Sequence, residues 1–299
     1  MTPDLKQLKT PINKRFPHLQ QFVSLTRFDR PIGIYLLLWP TLTALWIASD
    51  GWPGWHLLLV FALGTVLTRA AGCIINDLAD MKFDGKVKRT RNRPLISGQI
   101  AAPEALILAA SIAFVALLLV LTTNTYTFYM SVFAVIIAVI YPFMKRYTYL
   151  PQAFLGIAFS WGIPMTFTAV SNEIANVAWL LLIANLLWVV AYDTQYAMVD
   201  RDDDIKLGLK STAILFADLD RLMIAILQAS FLAVQLLVTR SIELSVYYYL
   251  GLSSATGFFI YQRYLIRNRS REGCFKAFLN NHWVGFSIFL GIVAHYSLN

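Results

Sequence analysis

Apolar residues follow one another along this chain in long blocks, not in the every-second-residue alternation of a half-buried strand. Nine such blocks, at 33–49, 55–75, 103–122, 126–143, 149–170, 175–199, 222–239, 244–265 and 275–297, are divided by short polar connections. A helix needs roughly 20 mainly apolar residues to cross about 30 Å of hydrocarbon, and every block reaches or approaches that length. The pattern predicts an all-α, polytopic integral membrane protein with about nine transmembrane helices. Residues 1–30 depart from it. Pro11, Pro17 and mixed charges there predict an amphipathic cytoplasmic segment without the apolar core of a signal peptide, followed by a single transmembrane domain over 31–299.

Composition sharpens the picture. Of 299 residues 58% are hydrophobic and 14% charged, against about 25% charged in soluble domains. Such a chain is neither disordered nor water-soluble, and its two cysteines, expected to be free thiols, build no disulfide scaffold. Its net charge of +8 follows membrane topology, which argues against nucleic-acid binding. Of the 25 Lys and Arg, 23 fall before the first block, in 82–93, at Lys145 and Arg146, in 201–221 or in 263–276, all on one side of a nine-span arrangement. Cytoplasmic loops retain basic residues, so the N-terminus is expected inside and the C-terminus outside. Arg69, within the second block, and Arg240 are the exceptions.

The acidic residues are not explained by topology. Eight of 17 lie in two short clusters, Asp77, Asp80 and Asp84, then Asp193, Asp200, Asp202, Asp203 and Asp204, both at cytoplasmic ends of expected helices. On a helix Asn76, Asp80 and Asp84 share one broad face with Asp77 beside them, and Asp193, Tyr196, Asp200 and Asp204 form a stripe. Acidic helix ends are commonly just solvated, as Asp202 and Asp203 are expected to be. Two clusters of the same spacing on the same side instead call for a cation between them. With no His or Cys among the donors, that cation is expected to be Mg²⁺, shared between carboxylates and a substrate's phosphates.

Basic residues follow the first cluster directly. Arg89 and Arg93 offer planar forks suited to phosphate oxygens, while Lys82 and Lys86 are expected at lipid headgroups. A membrane-embedded Mg²⁺–diphosphate site predicts a substrate with a diphosphate head and a long apolar tail, a polyprenyl diphosphate. Ionising its allylic C–O bond makes a carbocation, which a dry site shields and aromatic faces stabilise. Tyr141, Tyr147, Tyr192 and Tyr196 are candidates for those faces. An intramembrane arginine is costly and therefore functional by default. Arg69, seven and eleven residues before Asn76 and Asp80, lies on the same helix face, roughly 10 to 17 Å deeper.

The run Asn76-x3-Asp80-x2-Phe83-Asp84-x2-Val87-x-Arg89-Thr90-x2-Arg93-x4-Gly98 resembles the signature of the UbiA family of intramembrane aromatic prenyltransferases. Asp193-x2-Tyr196-Ala197-x2-Asp200-x3-Asp204 is similar to that family's second Asp-rich motif. Arg27-Phe28-Asp29-Arg30-Pro31-Ile32-Gly33 and Tyr141-Pro142-Phe143-Met144-Lys145-Arg146 resemble its ubiquinone-pathway branch in bacteria. The resemblance implies helices around a central cavity with a polar cap on the cytoplasmic side, in the bacterial inner membrane. It also implies transfer of an all-trans polyprenyl chain to the ring carbon beside the hydroxyl of 4-hydroxybenzoate. By the same token Asn76, Asp80, Asp84, Asp200 and Asp204, with Asp77 and Asp193 less directly, would hold Mg²⁺ and diphosphate. Arg89, Arg93 and Lys145 would meet phosphates. Arg146 first, then Arg27, Arg30 and Arg69, would meet the acceptor's carboxylate, and Asp200 could accept its phenolic proton. Family members with menaquinone, haem O or chlorophyll-type acceptors are the near alternative. A cation or metabolite transporter is the distant one, and its site is expected nearer the midplane. Nothing in the chain calls for an obligate protein partner.

Overall fold

A computed structural model describes residues 18–85, 90 and 92–298. Its helices are α1 (Leu19–Leu25), α2 (Ile32–Ala48), α3 (Gly54–Asp84), α4 (Ala102–Val120), α5 (Thr125–Ile140), α6 (Pro151–Ser160), α7 (Gly162–Ser171), α8 (Asn176–Leu207), α9 (Thr212–Phe216), α10 (Asp220–Ser241), α11 (Val246–Leu265) and α12 (Arg271–Leu298). Two 3₁₀ turns, Tyr141–Arg146 and Ala217–Leu219, complete the set. Among the described residues seven helical stretches are long and apolar enough to cross a membrane: Gly54–Lys82, Ala102–Val120, Thr125–Arg146, Pro151–Ser171, Asn176–Leu207, Thr212–Ser241 and Arg271–Leu298. Helix α2 is shorter, at 17 residues. Helix α11, diluted by five tyrosines, two serines, a glutamine and an arginine, is not among the seven. The protein is therefore an all-helical, multi-pass membrane protein.

Two helices overrun their apolar blocks. At about 1.5 Å per residue, the 31 residues of α3 and the 32 of α8 give rods of about 46 and 48 Å, longer than the hydrocarbon is thick. The surplus turns carry the first acidic cluster and all of the second except Asp193, and both are helical throughout, as the spacing requires. The fifth block differs from its expectation as one rod. It breaks at Trp161 into α6 and α7, with Pro164 early in α7, where a missing N–H costs least. Trp161 Nε1 donates to Met130 O at 2.9 Å, anchoring the break against α5.

Burial ranks the helices. In α8, 61% of the apolar window is buried, against 17% in α4 and α5, so α8 is the central rod and the other two are peripheral. Leu106, Ile107 and Phe114 on α4, and Phe133, Val135 and Ile136 on α5, face outward, an apolar surface that only lipid covers comfortably. Helices α11 and α12 come into close contact where Gly251 meets Gly291. A Cβ on Gly251 would stand 2.7 Å from Ser287 O. Small residues of this kind let membrane helices gain van der Waals contact where no hydrophobic driving force acts between them.

A second internal tie is polar. Gln262 Oε1 accepts from Gln195 Nε2 (3.1 Å) and Gln228 Nε2 (2.9 Å), and Gln262 Nε2 donates to Asn280 Oδ1 (3.0 Å). Asn281 Nδ2 donates to Gln195 Oε1, and Asn281 Oδ1 accepts from Trp188 Nε1, each at 2.9 Å. These carboxamides join α8, α10, α11 and α12 and set the roll of α8 beside Asp193 and Tyr196. Gln262→Leu strands two donors and an acceptor, at about 1–3 kcal/mol per buried unpaired group in water and less in lipid. The expected loss is about 2 kcal/mol, a thermal midpoint in detergent lower by about 5 °C, with Gln262→Glu, which keeps an acceptor, losing less.

Candidate active site

The C-terminal turns of α3 bury three carboxylates almost completely: Asp77 is 1% exposed, Asp80 3% and Asp84 5%. Ionised groups are tolerated there only if neutralised, and each is. Arg27 NH2 donates to Asp77 Oδ1 and Oδ2 at 2.9 and 2.7 Å. Arg93 NH1 bridges Asp77 Oδ1 (2.8 Å) and Asp84 Oδ2 (2.5 Å). Lys145 Nζ donates to Asp80 Oδ2 at 2.5 Å. The second oxygen, Asp80 Oδ1, is buried without a hydrogen-bond partner among the described residues.

Local structure delivers each cation. Arg27 sits at φ 62°, a left-handed conformation costing of the order of 1–3 kcal/mol for a non-glycine residue. Its NH1 bond to Ser24 O (2.7 Å) and the Asp77 contact hold it there. At the end of α5, Pro142 lacks an N–H, and the chain tightens into the Tyr141–Arg146 turn. Lys210 N donates to Lys145 O (2.9 Å) and Lys210 Nζ to Tyr147 O (3.0 Å), pinning that turn to the segment after α8. Thr90 Oγ1 donates to Asp84 O (2.7 Å), folding the chain after α3 back on the cluster.

Below lies Arg69. Its Nε is buried without a partner, and its guanidinium carbon sits 5.6 Å from the Phe159 ring centroid. It presses so close to Gly33 that any Cβ there would collide with it. The charges of Arg69, Asp193 and Asp80 all act on Tyr141, so this tyrosine marks where the two acidic motifs and the deep arginine converge. Tyr192 OH is likewise buried without a partner.

The remaining candidates fall as follows. Asp200 on α8 is buried at 8% exposure, Asn76, Asp193 and Asp204 are partly buried, and Tyr196 packs on Phe278 at 4.5 Å between centroids. Asp203 and Asp202 meet Arg271 at 3.1 and 3.5 Å, Asp202 being exposed. Arg30 is 74% exposed against Asp29, away from the buried carboxylates. Arg146, the first choice for the acceptor's carboxylate, donates from NH2 to Ala79 O and lies 5.1 Å from the Phe143 ring centroid. Arg89 and Lys86 lie outside the described residues. Among the described residues no three of the His, Cys, Asp and Glu side chains gather closely enough to hold a metal ion. The basic groups stand among the carboxylates instead.

Sequence reasoning missed the carboxamide cluster and the pairing of Asp77 with Arg27. The first left a signal, since Gln195, Gln228, Gln262 and Asn281 are polar residues inside apolar spans. The second left none.

Fold and site together define a multi-pass helical membrane protein with a buried acid–base cluster at one end of the bundle. The chain belongs to the UbiA prenyltransferase family, whose model matches residues 37–289. It is 57% identical over 275 residues, 92% of this chain and 96% of the other, to a 4-hydroxybenzoate octaprenyltransferase of Aliivibrio fischeri (strain ATCC 700601 / ES114). A UbiA homolog from Aeropyrum pernix K1 in its apo form superposes with a TM-score of 0.77 at 25% identity, covering 88% of this chain and 97% of that one. A UbiA homolog from Archaeoglobus fulgidus bound to GPP and Mg²⁺ superposes at 0.65 with 17% identity, covering 90% and 99%, a likeness of fold.

Proposed function

We propose that this protein transfers an all-trans polyprenyl chain from its diphosphate to 4-hydroxybenzoate, at the ring carbon ortho to the hydroxyl, releasing diphosphate in ubiquinone biosynthesis. The observation that carries this reading is the 57% identity, over nearly the full length of both chains, with an enzyme of that name. The acid–base cluster supplies its chemistry. We read α2 and α11 as crossing the membrane too, giving nine spans around a central cavity in the bacterial inner membrane, N-terminus cytoplasmic and C-terminus periplasmic.

Asn76, Asp80, Asp84, Asp200 and Asp204, with Asp77 and Asp193 behind them, would supply an oxygen-only donor set once the basic groups turn away. Such donors, with Asp80 Oδ1 lacking a partner, fit Mg²⁺, which the Archaeoglobus homolog binds alongside GPP. When bound, Mg²⁺ would neutralise the diphosphate and assist its departure. Lys145 and Arg93, now paired with carboxylates, turn their donors to phosphate oxygens as substrate enters, with Arg27 holding Asp77 in place. The allylic C–O bond breaks with its electron pair leaving on diphosphate. Tyr141, Tyr192 and Tyr196 face the resulting cation, and the lipid-embedded helices keep water from it.

The acceptor's carboxylate needs a buried cation. Arg69, deeper in the bundle against Phe159, suits that role better than Arg146, whose NH2 is held on Ala79 O, and better than surface-exposed Arg30. Asp200 takes the phenolic proton as the ring attacks, a C–C bond forms, and the ring hydrogen leaves as a proton to restore aromaticity.

The test is direct. Purified protein in lipid-supplemented detergent, given Mg²⁺, a polyprenyl diphosphate and 4-hydroxybenzoate, should yield 3-polyprenyl-4-hydroxybenzoate by mass spectrometry. Asp80→Ala and Asp200→Ala should not. Prenylation of a different acceptor would keep the family and move the substrate. Absence of both product and diphosphate release would overturn the reading.

A further inference from the structure

Beyond this site, a cavity of about 250 Å³ opens between the cytoplasmic ends of α10 and α11, lined by Asp218, Arg221, Leu222, Arg263 and Ile266. The neighbouring charges are already committed. Asp220, fully buried, accepts from Arg269 Nε at 3.0 and 2.9 Å and from Arg201 NH1 at 3.4 Å, and Arg269 NH2 donates to Asp218 O at 2.7 Å. Arg221 spends only NH1, on Arg267 O at 2.8 Å. Arg263, exposed at the cavity's wall, has no carboxylate partner among the described residues. The cavity thus holds two guanidinium groups and one exposed carboxylate, a balance of one positive charge.

What lies around the cavity identifies the kind of ligand. Leu222 and Ile226, one turn apart on α10, are 53% and 48% exposed, and Ile260 and Tyr264 on α11 are 65% and 57% exposed. The cavity therefore opens onto the lipid-facing surface at the level where Tyr261 and Tyr264 supply the aromatic groups of a membrane interface. A basic pocket between helices at the cytoplasmic face suits a lipid phosphate. Asp218 adds a condition, because a carboxylate beside the phosphate favours a headgroup with N–H donors. Quaternary choline has none.

We propose that the Arg221–Arg263–Asp218 cavity binds a glycerophospholipid, its phosphodiester on the two arginines, its headgroup ammonium on Asp218, and its acyl chains along Leu222, Ile226 and Ile260. The match is one of pairing and geometry: two guanidinium groups for one phosphodiester, one carboxylate for one ammonium, and an apolar wall leading directly into the bilayer. The site is separate from the acid–base cluster and does not depend on the reading of the reaction.

Native mass spectrometry of the full chain, titrated with phosphatidylethanolamine or phosphatidylcholine, tests it. Phosphatidylethanolamine should bind more tightly, and Arg221→Gln with Arg263→Gln should weaken it by about 5-fold per arginine, ~25-fold together. Asp218→Asn should abolish the preference over phosphatidylcholine while retaining phosphate-dependent binding. Arg221→Lys with Arg263→Lys, which keeps both charges, should retain most affinity and so separates lost recognition from lost folding. Equal binding of the two lipids by the wild type, or unchanged affinity in the double glutamine variant, overturns the proposal. Displacement of lipid by inorganic phosphate or glycerophosphoethanolamine at comparable concentration also overturns it, since the site would then serve a soluble phosphate.

Discussion

Asp80→Asn should lower prenyl transfer by about 10³-fold, the several kcal/mol that a metal-centred stabilisation of a leaving group supplies. The substitution keeps the shape of the side chain and removes its charge. It removes the negative charge paired with Lys145 and the anionic character of the buried oxygen that has no partner among the described residues. The effect should appear as a fall in kcat and a raised requirement for Mg²⁺, measured by titrating the metal at saturating prenyl diphosphate. Asp202→Asn is the matching control. Asp202 is exposed and lies 3.5 Å from Arg271, and its substitution should leave activity near wild type. Equal losses in the two variants would show that acidity at this end of the bundle, rather than this particular carboxylate, matters.

Arg69→Leu should cost about 100-fold in kcat/KM for 4-hydroxybenzoate, in line with about 1.5–3 kcal/mol for a hydrogen bond to a charged group. The decisive comparison pairs the variant with an acceptor that lacks the carboxylate. Wild-type protein should favour 4-hydroxybenzoate over phenol by a similar factor, and Arg69→Leu should favour neither. Diphosphate released without acceptor should change much less, because the groups proposed for phosphate, Lys145 and Arg93, are held on Asp80, Asp77 and Asp84. A variant that still discriminated between the two acceptors would return the role to Arg146. Gly33 supports this geometry. Any larger residue there would displace the guanidinium, so Gly33→Ala should mimic part of the Arg69 loss with Arg69 intact.

Much of the site was legible because its register is local. Asn76, Asp80 and Asp84 share a helix face through i, i+4 spacing alone, and the structure continues α3 through Asp84. Arg146 shows where such reading stops. The family resemblance implied that it would meet the acceptor's carboxylate, but its bond to Ala79 O crosses 67 residues and had no local signal. Arg27 reaches Asp77 across 50 residues and Lys145 reaches Asp80 across 65.

The sequence by itself determined that this is a membrane-spanning helical protein, that its acids cluster at helix ends on the basic face, and that it resembles the family to which it belongs. Those properties depend on block length, net polarity and spacing within one helix. Only the tertiary structure decided which cation neutralises which carboxylate, that the fifth block breaks at Trp161, and that five carboxamides and a tryptophan lock α8 to its neighbours. The reason is physical. A helix apolar on every side can be rotated about its axis without changing its hydropathy, so its pattern does not say which face meets which neighbour. That is settled by the close approach of small residues and the pairing of a few buried polar groups, contacts that exist only once the helices have packed.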